Sequence, residues 1–134
     1  MIGLQMPFSK DATHISNSSI RQKNDSHFAK RFNSELEGDA YFDVFSRGIY
    51  STDASIYQIE PVGVIIPRSM CDIAKTIEIA AEHGLSILPR GGGTSQCGQT
   101  VGHSLIIDTT KYLNKLINFN LDDQTCRVEP GLVL

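Results

Sequence analysis

The chain has 134 residues, 40% of them hydrophobic and 20% charged, which suits one modest domain with a core of its own. Fifteen acidic against twelve basic residues leave a formal charge of −3, so a general nucleic-acid binder, which needs a basic patch, is disfavoured. No apolar run approaches the ~18 residues of a membrane span, and Cys71, Cys97 and Cys126 lack any disulfide or zinc spacing.

Residues 1–24 are polar and aperiodic and read as a mobile lead-in, without the basic start and apolar centre of a secretory signal. Reduced thiols and no signal point to the cytoplasm, at most peripheral to the inner face of a membrane. Residues 25–58 form a helical segment and connector. Phe28, Phe32 and Leu36 recur at i, i+4, i+8 in "DSHFAKRFNSELEG", one face of an amphipathic helix stopped by Gly38. A second helical turn is expected in "DAYFDVFSRG", closed by Gly48, and "IYSTDASIYQIEP" reads as an extended, hydroxyl-rich connector.

From residue 59 to 134 the pattern becomes regular. "VGVIIP" is a β-branched run between prolines, a strand signal. Ser69 with Asp72 resembles a capping box opening "MCDIAKTIEIAAEHG", whose buried stripe is expected to be Ile73, Ile77 and Ala80 with Met70, Ala74 and Ala81, ending at Gly84. "LSILP" is the next strand, which completes a βαβ unit with parallel strands. "SLIID" is a further strand, and "KLINFNLDDQTCRVEPG" reads as two strands around Asp122 and Asp123. The end, "EPGLVL", carries neither cap nor polar tail and suggests the N-terminal part of something longer.

Between the second and third of these strands lies "PRGGGTSQCGQTVGH". So many glycines are unfavourable unless the chain bends sharply or something approaches it closely. Gly93 to Thr100 matches a mononucleotide P-loop except that Gln99 stands where the lysine belongs, and no helix is expected to follow. Gly91, Gly93 and Gln96 miss the last glycine of a dinucleotide fingerprint. A tight structural turn remains open, as does a non-helical anion nest of backbone N–H groups assisted by the hydroxyls of Thr94 and Ser95. A pyrophosphate suits such a nest, because it needs many donors and no lysine.

The loop with the preceding "GVIIPRS" and "AAEHGLSILP" and the following "LIIDTTKYLNKLINFN" and "RVEPG" resembles the FAD-binding domain of the vanillyl-alcohol-oxidase (PCMH-type) superfamily. Within it the chain is similar to the FAD-linked oxidases of the glycolate oxidase subunit and D-lactate dehydrogenase group, over roughly residues 47–134. The resemblance implies an α+β fold, the first half of that domain, with a small sheet built on the βαβ unit. It implies FAD, its pyrophosphate held by Arg90, Gly91, Gly92, Gly93, Thr94 and Ser95, with Gly98 and Gln99 as the second half of the loop. Arg90 has two open roles, pairing with a phosphate or with a surface carboxylate. "YSTDAS" resembles the family's opening stretch, where Asp53 and the hydroxyls either help close the flavin pocket or bind their own backbone as turn formers. Cys97 is read as a loop filler, and His103 is not at the family's usual covalent attachment position.

The resemblance further implies a parent flavin-dependent oxidoreductase that oxidises a D-2-hydroxy acid such as lactate, glycolate or 2-hydroxyglutarate. Its other partners would be the C-terminal half of the same protein and an iron–sulfur segment or quinone as electron acceptor. No catalytic residue or metal ligand can be named in this stretch. A non-catalytic nucleotide-binding or regulatory module is the alternative.

Overall fold

The computed structural model describes residues 29–133, so the lead-in 1–24 and Phe28 lie outside the described residues. Helix α1 covers residues 29–35 and delivers Phe32, which is wholly buried, to the core. Leu36 packs beside it. Gly38 comes after the helix has ended and serves a close approach: a Cβ there would stand 2.3 Å from the Ile66 carbonyl oxygen.

The segment expected as one helical turn divides in two. Asp39–Tyr41 is strand β1, paired antiparallel with β2 (Gly63–Ile66). Only then does α2 (Val44–Ile49) begin, capped by Asp43, whose carboxylate accepts the Ser46 N–H at 2.9 Å. Gly48 lies inside this helix and does not close it; Tyr50 is the C-cap.

Helix α3 (Met70–Glu82) starts as expected, with the Ser69 hydroxyl accepting the Asp72 N–H. At its end the N–H of Leu85 reaches the carbonyl of Ala80 and that of Gly84 reaches Ala81, the paired bonds of a Schellman closure. Its buried face only partly matches the expected stripe, sharing Ala80 with it. Asp72, Thr76, Ile79 and Ala80 are buried, while Met70 and Ile77 are 65% and 50% exposed. Apolar residues surround so much of α3 that periodicity alone does not select a face. The Asp72 carboxylate decides it by accepting the N–H groups of Glu37 at 3.0 Å and Arg68 at 2.8 Å, which draws that side inward.

Strands β2 and β3 (Ile87–Arg90) run parallel, as expected of the βαβ unit, but β4 (Leu105–Asp108), parallel to both, lies between them in the order β1-β2-β4-β3. Being central, β2 and β4 are buried along their whole length, which explains their unbroken apolar runs. Ile65 and Leu105 face α1 and α3; Val64, Ile66 and Ile106 face the other way, toward Tyr41, Tyr50, Leu88 and Tyr112. Strands β5 (Leu116–Asn120) and β6 (Thr125–Val128) form a separate antiparallel hairpin turned through Gln124 at φ 52°, as expected from Asp122 and Asp123. Among the described residues, no helix is long and apolar enough to cross a membrane and no group of His, Cys, Asp or Glu could hold a metal ion.

Candidate functional site

Residues 91–104 join β3 to its parallel neighbour β4. A parallel crossover needs about a dozen residues or more and is usually a helix. Here the glycine loop makes the crossing without one, which removes the P-loop and dinucleotide readings, since both require a helix opening behind the glycines.

Strand alternation sets what lies around the loop. Leu88 and Ile106 pack on the sheet face that carries Tyr50, so Arg90 and Asp108, each two residues further on, project from that same face. Tyr50 sits between them. Its hydroxyl donates to the Asp108 carboxylate at 2.6 Å, and the Arg90 guanidinium lies 5.1 Å from the centre of its ring. Burial, and then the bond to Asp108, push the Tyr50 phenol well above its usual range.

Among the described residues Arg90 pairs with no surface carboxylate; the partners it does have are backbone carbonyls. One terminal nitrogen donates to the carbonyls of Tyr50 at 3.2 Å and Thr100 at 3.3 Å, and the other to the carbonyl of Thr52 at 2.9 Å. The guanidinium thus binds the "YSTDAS" segment to both strands of the loop. Two more ties run alongside: the Ala54 N–H donates to the Gly93 carbonyl at 3.1 Å, and the Thr100 hydroxyl to the Asp53 carboxylate at 2.9 Å. Asp53 also accepts the Ser55 N–H, the turn-forming role considered for it, while its other oxygen takes the Thr100 hydroxyl. The Ser55 hydroxyl, with Ser55 and Thr100 donors behind it, lowers the Asp53 carboxyl to about 2.

The glycines fall into two kinds. Gly93 and Gly98 take φ of 67° and 77°; a Cβ on Gly93 would stand 2.5 Å from the Arg90 guanidinium, and one on Gly98 would stand 2.6 Å from the Tyr57 ring. Both are required by the protein itself. Gly91 and Gly92 are exposed and take no left-handed φ. A Cβ on Gly91 would meet nothing within 4 Å, and one on Gly92 only the Thr94 methyl at 3.7 Å. Among the described residues, the hydrogen bonds of the stretch from Gly91 to Gly98 use the Gly93 carbonyl and the Ser95 hydroxyl, and its backbone N–H groups have no protein acceptor. Ser95 is bonded to the side chain and the N–H of Gln99, which closes the second half of the loop on itself. Thr94 is exposed, as is Cys97.

The structure therefore brings the site residues read from the sequence into one loop and divides their work. Gly91, Gly92 and Thr94 are exposed with backbone N–H groups that have no acceptor among the described residues, whereas Arg90, Gly93, Ser95, Gly98 and Gln99 are held by contacts within the protein. The anchoring roles of Tyr50, Thr100 and Asp108 were missed. Asp108 carried a signal, an acidic residue ending an otherwise apolar central strand.

Residues 61–134 match the family described as an FAD binding domain. D-2-hydroxyglutarate dehydrogenase of Pantoea ananatis (strain AJ13355) is 38% identical over 99 residues, which cover 72% of this chain and 10% of that protein. Glycolate oxidase subunit GlcD of Bacillus subtilis (strain 168) is 33% identical over 103 residues, 74% of this chain and 22% of that protein. The chain thus spans between 10% and 22% of the length of these two relatives. Among solved structures, alkyldihydroxyacetonephosphate synthase superposes with a TM-score of 0.68 at 17% identity, over 80% of this chain and 24% of that one. p-Cresol methylhydroxylase with substrate bound gives 0.63 at 17% identity, over 82% and 23%. At such identities the likeness is one of fold, and it bears out the α+β flavin-domain architecture.

Proposed function

The chain belongs to the FAD-binding domain family, and from that premise we propose that its glycine loop holds the FAD pyrophosphate in an oxidoreductase that converts a D-2-hydroxy acid to the 2-oxo acid. One observation carries the placement: among the described residues a Cβ on Gly91 would meet nothing and one on Gly92 only the Thr94 methyl, and the N–H groups from Gly91 to Gly98 have no protein acceptor. Each glycine loses conformational freedom on folding, so two without an internal reason point to an external one, a ligand that must come closer than a Cβ permits. Successive N–H groups suit an anion, and a pyrophosphate presents enough oxygens to engage several of them at once. The Thr94 hydroxyl adds a donor on the same exposed stretch. When bound, FAD supplies the hydride acceptor for the oxidation. The role of this chain is to hold and orient it; the base for the hydroxyl proton and the cation for the substrate carboxylate belong to other parts of the enzyme.

The substrate class is supported by the names of the relatives, which include D-2-hydroxyglutarate dehydrogenase and a glycolate oxidase subunit. An iron–sulfur segment or a quinone as electron acceptor, and a cytoplasmic location, complete the proposal.

The test uses the complete gene product. As purified it should carry FAD, and mixing it anaerobically with D- and L-2-hydroxy acids should bleach the flavin with D-configured acids alone, and not with NADH. Gly92→Val should lose the flavin. Bleaching by phenols or sugars and by no hydroxy acid would keep the cofactor and defeat the substrate assignment, and retention of FAD by the valine variant would defeat the placement.

A further inference from the structure

We propose that Arg90 is a positioning residue for the pyrophosphate loop and not a ligand of the phosphates. This rests on the reading of the loop as a pyrophosphate cradle, and it departs from the usual expectation that an arginine beside a phosphate loop pairs with the phosphate.

Three observations converge. First, the side chain is committed. Its two terminal nitrogens donate to the carbonyls of Tyr50, Thr52 and Thr100, and its central carbon lies over the Tyr50 ring. A guanidinium has five N–H donors in a rigid fork, and bidentate recognition of phosphate needs two parallel ones free on one edge. Here three of the five are taken by backbone, both of those on one terminal nitrogen and one on the other, which removes the end-on pair. Second, the direction is built in. Arg90 shares the sheet face of Leu88, Tyr50 and Asp108, and Tyr50 is fixed at its far end by the 2.6 Å bond to the buried Asp108 carboxylate. Swinging the guanidinium toward a ligand would leave three carbonyls without it and the ring uncovered. Third, the loop makes room for it. Gly93 stands where a Cβ would be 2.5 Å from the guanidinium, so the left-handed turn at Gly93 and the seat of Arg90 are one arrangement.

The consequence is a division of labour. Arg90 binds the start of the connector at Tyr50 and Thr52 and the far strand of the loop at Thr100. The Gly93 carbonyl is simultaneously taken by Ala54. With the Gly93 and Thr100 carbonyls drawn to the protein side, the loop is held so that its N–H groups can meet the ligand, which is the polarity an anion nest needs. The cation sets the geometry, and backbone dipoles meet the phosphate.

Charge and fork geometry separate the two roles in experiment. Arg90→Lys keeps the charge but offers one point donor in place of a fork. In the complete gene product it should bind FAD about tenfold or more weakly, close to Arg90→Gln, because the lost element is the fork. The dependence of FAD affinity on salt should stay that of the wild type in both variants, since no charge is withdrawn from the phosphates. Hydrogen exchange in the FAD-free protein gives a reading that needs no cofactor: the Ala54 N–H, bonded to Gly93, should exchange faster in Arg90→Lys, with α3 unchanged. Near-wild-type affinity in the lysine variant, with a flattened salt dependence in the glutamine variant, would overturn the proposal in favour of a direct phosphate contact. Unchanged affinity and exchange in both variants would overturn it as well. Should the wild-type protein bind no FAD, the cradle reading itself falls; if it binds FAD, Gly92→Val releases it and the Arg90 variants do not, only the present inference fails.

Discussion

Two stretches of one loop use the same residue for opposite reasons. At Gly93 and Gly98 the backbone is left-handed and a side chain would strike Arg90 or Tyr57, so glycine there is dictated by the fold. At Gly91 and Gly92, one step upstream, the backbone is ordinary and the space around it is open. Substitution should therefore separate stability from binding within a few residues. At the inner glycines the two quantities fall together. At the outer pair they part, and that parting marks a surface shaped for something other than the chain itself.

The largest effect is expected at the outer pair. Gly91→Val, like Gly92→Val, should weaken FAD binding on the order of a hundredfold, the scale of losing a set of charge-assisted hydrogen bonds. The FAD-free protein should be no less stable. Replacing glycine at a compatible φ restricts the unfolded chain, and the Gly→Ala case gains roughly 0.4–1 kcal/mol. Thermal melts with and without FAD check both halves. A drop in the melt of the FAD-free protein as large as the drop in affinity would erase the distinction between the two kinds of glycine.

A smaller effect is expected at the inner pair, and it has the opposite signature. Gly98→Ala must place a Cβ at φ 77° and displace the Tyr57 ring, which is 53% exposed and can move. The strain of the left-handed backbone alone is about 1–2 kcal/mol. Faster exchange at the Gln99 N–H, which is bonded to Ser95, should accompany a proportionate loss of FAD affinity. Adding Tyr57→Ala should relieve the collision but not the backbone strain, so the double variant recovers only part of the loss. Full recovery would mean that the turn tolerates a side chain and that Gly98 belongs with the outer pair.

Which features could be read from the sequence follows from how local their causes are. The Ser69 cap, the strand between Pro61 and Pro67, and the turn at Asp122 and Asp123 depend on a few neighbouring residues, and each is where it was expected. The glycine run was legible for the same reason. The order β2-β4-β3 was not, because two apolar runs carry no mark of which lies between the others. The buried face of α3 turned on Asp72 meeting N–H groups of Glu37 and Arg68, one of them 35 positions away. Strand β1 had no β-branched residue to announce it; "DAY" becomes a strand because β2 offers it a partner. The hold on Arg90 comes from carbonyls 38 and 40 positions upstream, and carbonyls leave no trace in the identity of a residue.

The smallest expected effect concerns the outermost tie between loop and connector, the bond from the Thr100 hydroxyl to Asp53. The Asp53 carboxyl is lowered to about 2, first by the Ser55 hydroxyl and further by Thr100, against an unfolded value of about 3.9. A carboxyl depressed in the folded state contributes its stabilisation fully above the unfolded value and loses it as pH falls through the folded one. The tie should therefore be intact from neutral pH down to about 4 and give way between about 4 and 2. Because Asp53 is only half-buried, the contribution is modest and should shrink as salt is added. Thr100→Val keeps the side-chain volume and removes the donor, so the Asp53 titration, followed by carboxyl-selective NMR, should move upward toward its usual range. Gly91 and Gly92 lie beyond this tie, and Arg90 still holds the Thr100 carbonyl in the variant. FAD affinity at neutral pH should then fall by no more than about threefold, within the scale of one half-buried hydrogen bond. A fall as large as that in Arg90→Lys would shift the main anchor of the loop from the guanidinium to Asp53.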